Sequence, residues 1–392
     1  MLSVLTSRRK ALKAVVFTAA TLMLAACQPG ATSSRGPALD PNKPIPVALL
    51  LPYGSGNAGD EILARELQQA AEMAVADLAG SVTIDLRVYN AGSSAALASQ
   101  MASQAATDGA AIILGPVFGE SAAAAGQAVR GQGLNVLSFS NNTDVAGGNV
   151  FVMGSTFQNT ARRLTNFAAA RGKTSILVAY DQTPQGDLGR RSIEAAAGRS
   201  GARVVGAVPY VFSGPGVTAA VPSIVSAARS NGANALFLTA DSAGALPLLA
   251  RLLPEAGLGA SSIQYMGLTR WDIPTATLTF PGIQGSWFAL PDPGLVGRFQ
   301  ARYASTYGTT PNPIAGLAYD GIAAIGALVK SGKPDPLSRA ALTQTAGFAG
   351  VNGVFRLRPD GTNDRALAIA QVQNGSYTII DPAPRSFGDA GL

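Results

Sequence analysis

The sequence predicts an α/β fold of two lobes, each a parallel sheet with helices on both faces. Three observations carry that expectation. From residue 46, short apolar runs of β type alternate with longer runs at helical spacing, and such alternation builds a parallel sheet covered by helices. The alternation restarts after a short linking stretch near 150–156. The chain beyond its first 26 residues, about 365 residues long, exceeds what one hydrophobic core usually serves.

In chain order, Val47 to Leu51 is a continuous apolar run stopped by Pro52, as a strand buried on both faces requires. Ile62, Leu63, Leu67, Ala70, Ala71, Ala74 and Leu78 then recur at helical spacing behind Asp60, a residue suited to the N-cap. A strand at 82–89, a helix over 94–107, a strand Ala111 to Leu114, a helix over 120–131 and a strand at 134–139 follow. The second series runs helix 157–171, strand Ser175 to Tyr180, helix 186–200, strand 203–210, helix 217–231, strand 235–239, helix 243–256 and strand 263–267. Helices over 294–307, 313–331 and 336–345 come next. Val354 to Leu357 before Pro359-Asp360-Gly361, and Leu367 to Val372 before Asn374-Gly375, read as strands ending in turns. Such late segments are expected to return and complete lobes begun earlier.

Arg8-Arg9-Lys10 and Lys13 precede an uncharged apolar stretch from Ala14 to Ala26, the layout of a secretory signal and too short for a permanent span. It ends in Leu24-Ala25-Ala26-Cys27, which resembles the bacterial lipobox. The expectation is a signal peptide over 1–26, lipidation at Cys27 and a flexible tether rich in Pro, Gly and Ser through residue 44. A structural cysteine is the alternative, but the chain holds no second thiol to pair with it.

The net charge of +6 suggests a polyanion partner until the four basic residues of the leader are removed, which leaves 25 basic against 23 acidic residues. No nucleic-acid partner is expected. With no histidine and one cysteine, the Ser-His-Asp and Cys-His nucleophile systems and the usual zinc ligand sets are excluded. Gly172-Lys173-Thr174 looks like the end of a phosphate-binding loop, yet Phe167 stands where its first Gly belongs and a strand follows. The only S-x-x-K, Ser7 to Lys10, lies in the leader. The chain is read as non-enzymatic, without cofactor or metal.

Val47-Ala48-Leu49-Leu50-Leu51-Pro52, Ile113-Leu114-Gly115-Pro116, the Tyr180-Asp181 strand end, Ala318-Tyr319-Asp320-Gly321 and Gly350-Val351-Asn352-Gly353-Val354-Phe355, in that order, resemble the type I periplasmic binding proteins. The branched-chain amino-acid receptors are the best-known members. The lipidation signal, linker and opening strand are also similar to those of penicillin-binding-protein activator lipoproteins. The resemblance implies two lobes joined by crossing strands and closing over a ligand, with lobe one over 45–153 and 290–352, lobe two over 154–289 and 353–381, and a tail over 382–392.

Open α/β sheets bind ligands beyond the carboxyl ends of their strands. That rule selects Tyr53 and Ser55, Glu120 and Ser121, Ser140, Asn141 and Asn142 in lobe one, and Tyr180, Asp181, Asp241, Arg270 and Trp271 in lobe two. The Gly115 to Ser121 loop enters a helix N-terminus suited to an anion, or is simply a strand-to-helix turn. Ser138 to Asn142 stands where amino-acid receptors hold the ligand's α-amino and α-carboxyl groups, or is an Asx-rich turn. Trp271 reads either as a ring for stacking on a ligand or as a packing residue.

The resemblance departs at Thr269 and Arg270, where those receptors present an acid to the ligand ammonium. A guanidinium there suits a carboxylate, phosphate or sugar acid, unless Asp241 or Asp272 compensates. Taken with Gln28, which is not the Asp of inner-membrane retention, this places first an outer-membrane accessory that regulates peptidoglycan synthesis through a penicillin-binding protein. The alternative is the receptor of an ABC importer, with a permease as partner and an amino acid or small anionic solute in the interlobe cleft.

Overall fold

A computed structural model describes Leu39 and residues 43–387 of the chain. The expected signal peptide, Cys27 and nearly all of the tether lie outside the described residues. The first sheet is built from β1 (Ile45–Leu51), β2 (Ile84–Asn90), β3 (Ile112–Leu114), β4 (Val136–Ser138) and β5 (Val150–Val152), in the order β2-β1-β3-β4-β5, parallel throughout. The helices α1 (Ala58–Leu78), α2 (Ala95–Thr107) and α3 (Gly119–Val129) connect them.

Period-two alternation in β1 sorts its side chains onto two faces. Ala48 and Leu50 enter an alanine-rich core with Ala98, Ala102 and Ala125 of α2 and α3, while Val47, Leu49 and Leu51 face a larger core with Leu67 of α1. Each fully buried Leu adds about 2 kcal/mol of transfer free energy. Helix α1 begins one turn earlier than Asp60 suggested. The Asn57 carboxamide oxygen accepts from Gly59 N and Asp60 N, leaving Asp60 in the first turn, where a negative charge suits the helix dipole. Strand β5 occupies part of the stretch read as a link. Its three residues pair with β4 and are fully buried, but three residues are too few for a period to show.

The second sheet holds β6 (Ser175–Asp181), β7 (Arg203–Tyr210), β8 (Ala235–Leu238), β9 (Gln264–Gly267) and β10 (Trp287–Leu290), with α4 (Phe157–Ala170), α5 (Pro184–Ser200), α6 (Gly214–Ser230) and α7 (Leu246–Glu255) around them. The chain then forms α8 (Pro293–Tyr307), α9 (Gly316–Lys330), the short α10 (Arg339–Leu342), a small antiparallel sheet of β11 (Phe348–Gly350), β12 (Gly353–Leu357) and β13 (Asn363–Arg365), and finally β14 (Ala368–Gln373) and β15 (Ser376–Asp381). The order β15-β14-β10-β9-β8-β6-β7 makes the second sheet mixed, because β14 and β15 join it antiparallel.

The late helices return to the first lobe. Tyr303 of α8 and Ile322 and Ile325 of α9 are buried in its larger core, and Arg302 forms a two-pronged pair with Asp77 of α1, both contacts 2.5 Å. Phe348, Phe355 and Leu357 of the small sheet share that core. Strand β12 thus lies with the first lobe although it follows the boundary expected at residue 353, because Phe355 and Leu357 are buried in that lobe's core.

Three segments cross between the lobes: residues 153–156 from β5 to α4, 291–292 from β10 to α8, and 366–367 from β13 to β14. They are fastened by a polar strand that is almost entirely buried, Asn363, Asp364 and Arg365 being 4%, 1% and 5% exposed. Asn363 Nδ2 donates to the carbonyls of Val152 and Gly154, both at 2.8 Å, and its Oδ1 accepts from Asn159 Nδ2 at 2.7 Å. Asp364 pairs with Arg162 of α4 at 2.6 Å, with Arg356 of β12 at 2.7 Å and with Arg358, just past the end of β12, at 3.2 Å. Burial alone would raise the Asp364 carboxyl, but Arg162, Arg356 and Arg358 outweigh it and hold the group below the usual carboxylate range.

A carboxyl held low stabilises the fold above its unfolded-state pKa, and that contribution disappears as pH falls through the depressed value. Thermal unfolding of Asp364→Asn should show a loss of about 2–4 kcal/mol at neutral pH. The gap from wild type should narrow steadily below the ordinary carboxylate range; a gap that persists unchanged there would remove the ionic explanation.

Candidate functional site

Between the lobes lies a cleft of about 620 Å³. Lobe one supplies the loop Val117, Phe118 and Gly119 and the segment from Phe139 to Asn142; lobe two supplies Leu268, Thr269, Arg270 and Ile273. The floor comes from all three crossings, with Gly154 and Thr156 from the first, Pro291 from the second, and Arg365 and Leu367 at the third.

The local structure follows from a few residues. Gly115 has φ +90°, and a Cβ there would lie 2.3 Å from the Leu50 carbonyl oxygen, so only glycine lets the end of β3 turn so close to β1. Ser138 Oγ donates to the Pro116 carbonyl at 2.8 Å, tying that turn to the end of β4. Ser140 Oγ accepts from Asn142 N at 3.1 Å and Asn142 Oδ1 from Asp144 N at 2.9 Å. The segment is thus an Asx-type turn and a cleft wall at once. Thr156 is occupied as the N-cap of α4, accepting from Asn159 N.

The residues chosen from strand ends separate into three groups. Ser140, Asn141, Asn142 and Arg270 line the cleft. Asp181 and Asp241 line an adjoining chamber of about 360 Å³, which shares Phe157 and Thr269 with the cleft. There Asp181 accepts from the Thr183 and Thr239 hydroxyls, and Asp241 from Gly244 N at 2.6 Å.

The remaining six lie outside the cleft lining. Tyr53 packs on the lobe-one core and donates to Gln68 Oε1, and Ser55 Oγ accepts from Asn57 N, so both serve the turn into α1. Glu120 is exposed, while Ser121 is buried with its hydroxyl on the Ser93 carbonyl. Tyr180 packs into the lobe-two core beneath the Arg190 guanidinium. Trp271 is fully buried, donates from Nε1 to the Ala240 carbonyl at 3.4 Å and packs so tightly on Gly267 that a Cβ there would lie 2.4 Å from its ring. It is a core residue and presents no face to a ligand.

Arg270 is already partnered. Its Nε donates to Asp272 Oδ1 at 2.6 Å and its Nη2 to the other oxygen, and Asp272 is 8% exposed. Asp272 therefore answers Arg270 and not a bound ammonium.

Sequence reasoning missed Arg365. Its Nε donates to the Met153 carbonyl at 2.7 Å, its Nη1 stands 3.5 Å from Asp320, and its Nη2 is buried with no acceptor. Asp320 is wholly buried and accepts from Val351 N at 2.7 Å and Asn352 Nδ2 at 3.2 Å. Burial pushes the Asp320 carboxyl up and the Arg365 guanidinium down, and their mutual attraction opposes both shifts. No local signal marks Arg365. A run of Asn, Asp and Arg just after a Pro-Asp-Gly turn reads as exposed loop.

The family model described as periplasmic binding protein matches residues 44–376. Among solved structures, a putative branched-chain amino acid ABC transporter protein from Rhodospirillum rubrum superposes with a TM-score of 0.71 at 21% identity, covering 86% of this chain and 100% of its own. A branched-chain amino acid ABC transporter periplasmic ligand-binding protein from Burkholderia xenovorans gives 0.70 at 17% identity, covering 88% and 97%. A solute binding protein of an ABC transporter from R. palustris, in complex with benzoate, gives 0.58 at 17% identity, covering 89% and 99%. No curated protein sequence matches the chain.

Removing the buried indole should expose the structural role of Trp271. In urea denaturation Trp271→Ala should lose about 3–5 kcal/mol, the range for a large aromatic deleted from a packed core. Wild-type stability in that variant would refute the placement.

Proposed function

The chain belongs to the periplasmic binding protein family, and we propose that it is the solute receptor of an ABC importer, binding a small anionic solute or an amino acid between its lobes. The observation that carries this reading is the cleft itself, whose two walls come from different lobes and whose floor is made by the crossings that join them. Closure about such crossings buries a ligand, and the closed form is what a permease distinguishes from the open one. The solved structures of similar fold are described as ABC transporter proteins, which favours the same partner.

The accessory role in peptidoglycan synthesis, placed first on the sequence, gives way to this reading. It rests on Cys27, the tether and the substitution at Arg270, and Arg270 is now accounted for by its pair with Asp272. Lipidation at Cys27 remains part of the proposal. The working place becomes the periplasm within reach of an inner-membrane permease, against the outer-membrane address expected from Gln28.

A ligand that binds only the folded chain stabilises it by about 2.7 kcal/mol at a hundred times its Kd. A melting screen over neutral amino acids, carboxylic acids and sugar acids at millimolar concentration should therefore find at least one class that raises Tm. If every class leaves Tm unmoved, the receptor function is wrong.

A further inference from the structure

Lobe two is polarised along its strands. The registers of Ser175 with Arg203, Ile176 with Ala235 and Ala235 with Gln264 align the amino-terminal ends of β6, β7, β8 and β9 at one end of the sheet, opposite the end that walls the cleft. Arg171 and Lys173 precede β6, Arg199 and Arg203 stand at the start of β7, and Arg229 precedes β8, so the topology gathers five cations at that base. Arg171, Arg199, Arg203 and Arg229 are exposed and Lys173 is half-buried. Across the connections 171–174, 199–203, 229–234 and 255–263 the one acid is Glu255, which pairs with Arg251 at 3.4 Å.

These charges are not neutralised within the fold. Arg171 lies over the Phe167 ring, Arg229 donates to the Ala256 and Gly257 carbonyls at 3.4 and 3.3 Å, and among the described residues no carboxylate pairs with any of the five. A cation near a helix carboxyl end answers the helix dipole, which accounts for Arg199 and Arg229. Yet α1 and α2 of lobe one end with no basic residue in the last turn, and Lys173 and Arg203 lie outside helices. At the matching end of lobe one both signs stand together, with Asp85 paired to Arg87 and Asp108 beside them. Like charge gathered on one face opposes the compact state, and a surface of opposite sign relieves it.

We infer that the base of lobe two is a docking surface for the anionic headgroups of a phospholipid bilayer. Its cations come from separate helix ends and loops across three neighbouring strands, a spread that suits a surface of many phosphates better than one small anion. Each cation held near an anionic leaflet adds about fivefold in affinity. The 17 residues between Cys27 and Ile45 span at most about 60 Å, so an anchor at Cys27 leaves either end of the body able to meet the bilayer. Strand β6, seven residues long, sets the cleft end about 20 Å above the docked base, beyond the reach of the surface potential at physiological salt. The surface is independent of what the cleft binds, and its failure leaves the receptor reading intact.

Vesicle sedimentation tests the surface with the chain from residue 27 onward carrying Cys27→Ser, which removes the acyl anchor and no described residue. At about 0.1 M salt the chain should partition onto vesicles of equal phosphatidylglycerol and phosphatidylcholine but not onto pure phosphatidylcholine, and about 0.5 M salt should cost at least about 10-fold in affinity. Arg171→Gln, Lys173→Gln, Arg199→Gln and Arg203→Gln together should weaken partition by about 10- to 100-fold, whereas Arg171→Lys, Arg199→Lys and Arg203→Lys together should retain it. A fluorophore on Ser230→Cys, exposed at the base, should shift to the blue on anionic vesicles, and one on Gln185→Cys, exposed at the cleft end, should not. That pair leaves every charge in place, so it reads the docked face even if the glutamine set folds poorly.

Equal partition onto neutral vesicles, unaltered affinity in the glutamine set, or a response at Gln185 in place of Ser230 overturns the inference. Absence of vesicle binding overturns it too, and salt-sensitive binding to polyglutamate in that case gives the face to an acidic protein.

Discussion

The architecture depends on one unusual burial, the polar strand from Asn363 to Arg365 where the chain crosses between the lobes. Side chains of this kind are removed from water only when each finds partners, since an unmatched buried polar group costs a large part of a domain's stability. Here the partners are the crossing segments themselves: the carbonyls of Val152, Met153 and Gly154, the Asn159 side chain and the Arg162 guanidinium. The lobes are therefore joined by directional bonds, which fix their relation more narrowly than an apolar interface of similar size would.

How much of this was legible depended on whether the causes were local. Strand β1 could be read because Val47 to Leu51 must be apolar on both faces, and the return of Leu367 to Val372 because its turn is written in Asn374-Gly375. Strands β5 and β10, three and four residues long, hide inside apolar stretches too brief to show a period. In the cleft, Ser140, Asn141, Asn142 and Arg270 were reachable from the rule that strand ends build the site. The same rule also selected Trp271, whose burial depends on Gly267 and the Ala240 carbonyl and cannot be seen from its own neighbours. Arg365 was invisible because its meaning comes from Asp320 and Met153, dozens to hundreds of residues away.

The departure at Arg270 changed sense once its surroundings were known. As an isolated residue it looked like the remains of an abandoned amino-acid pocket. With Asp272 two residues later, it is an internally neutral pair on the lobe-two wall.

The return of α8 and α9 to the first lobe has a consequence for biogenesis. A chain made from its N-terminus presents β1 long before residues 293–330 exist, so Val47, Leu49 and Leu51 wait with much of the cover of that face still unsynthesised. The first lobe cannot finish folding until the second has been threaded past it. Nascent molecules must therefore carry an incompletely covered sheet face for most of their emergence, a period in which a holding chaperone would matter more for this lobe than for the other.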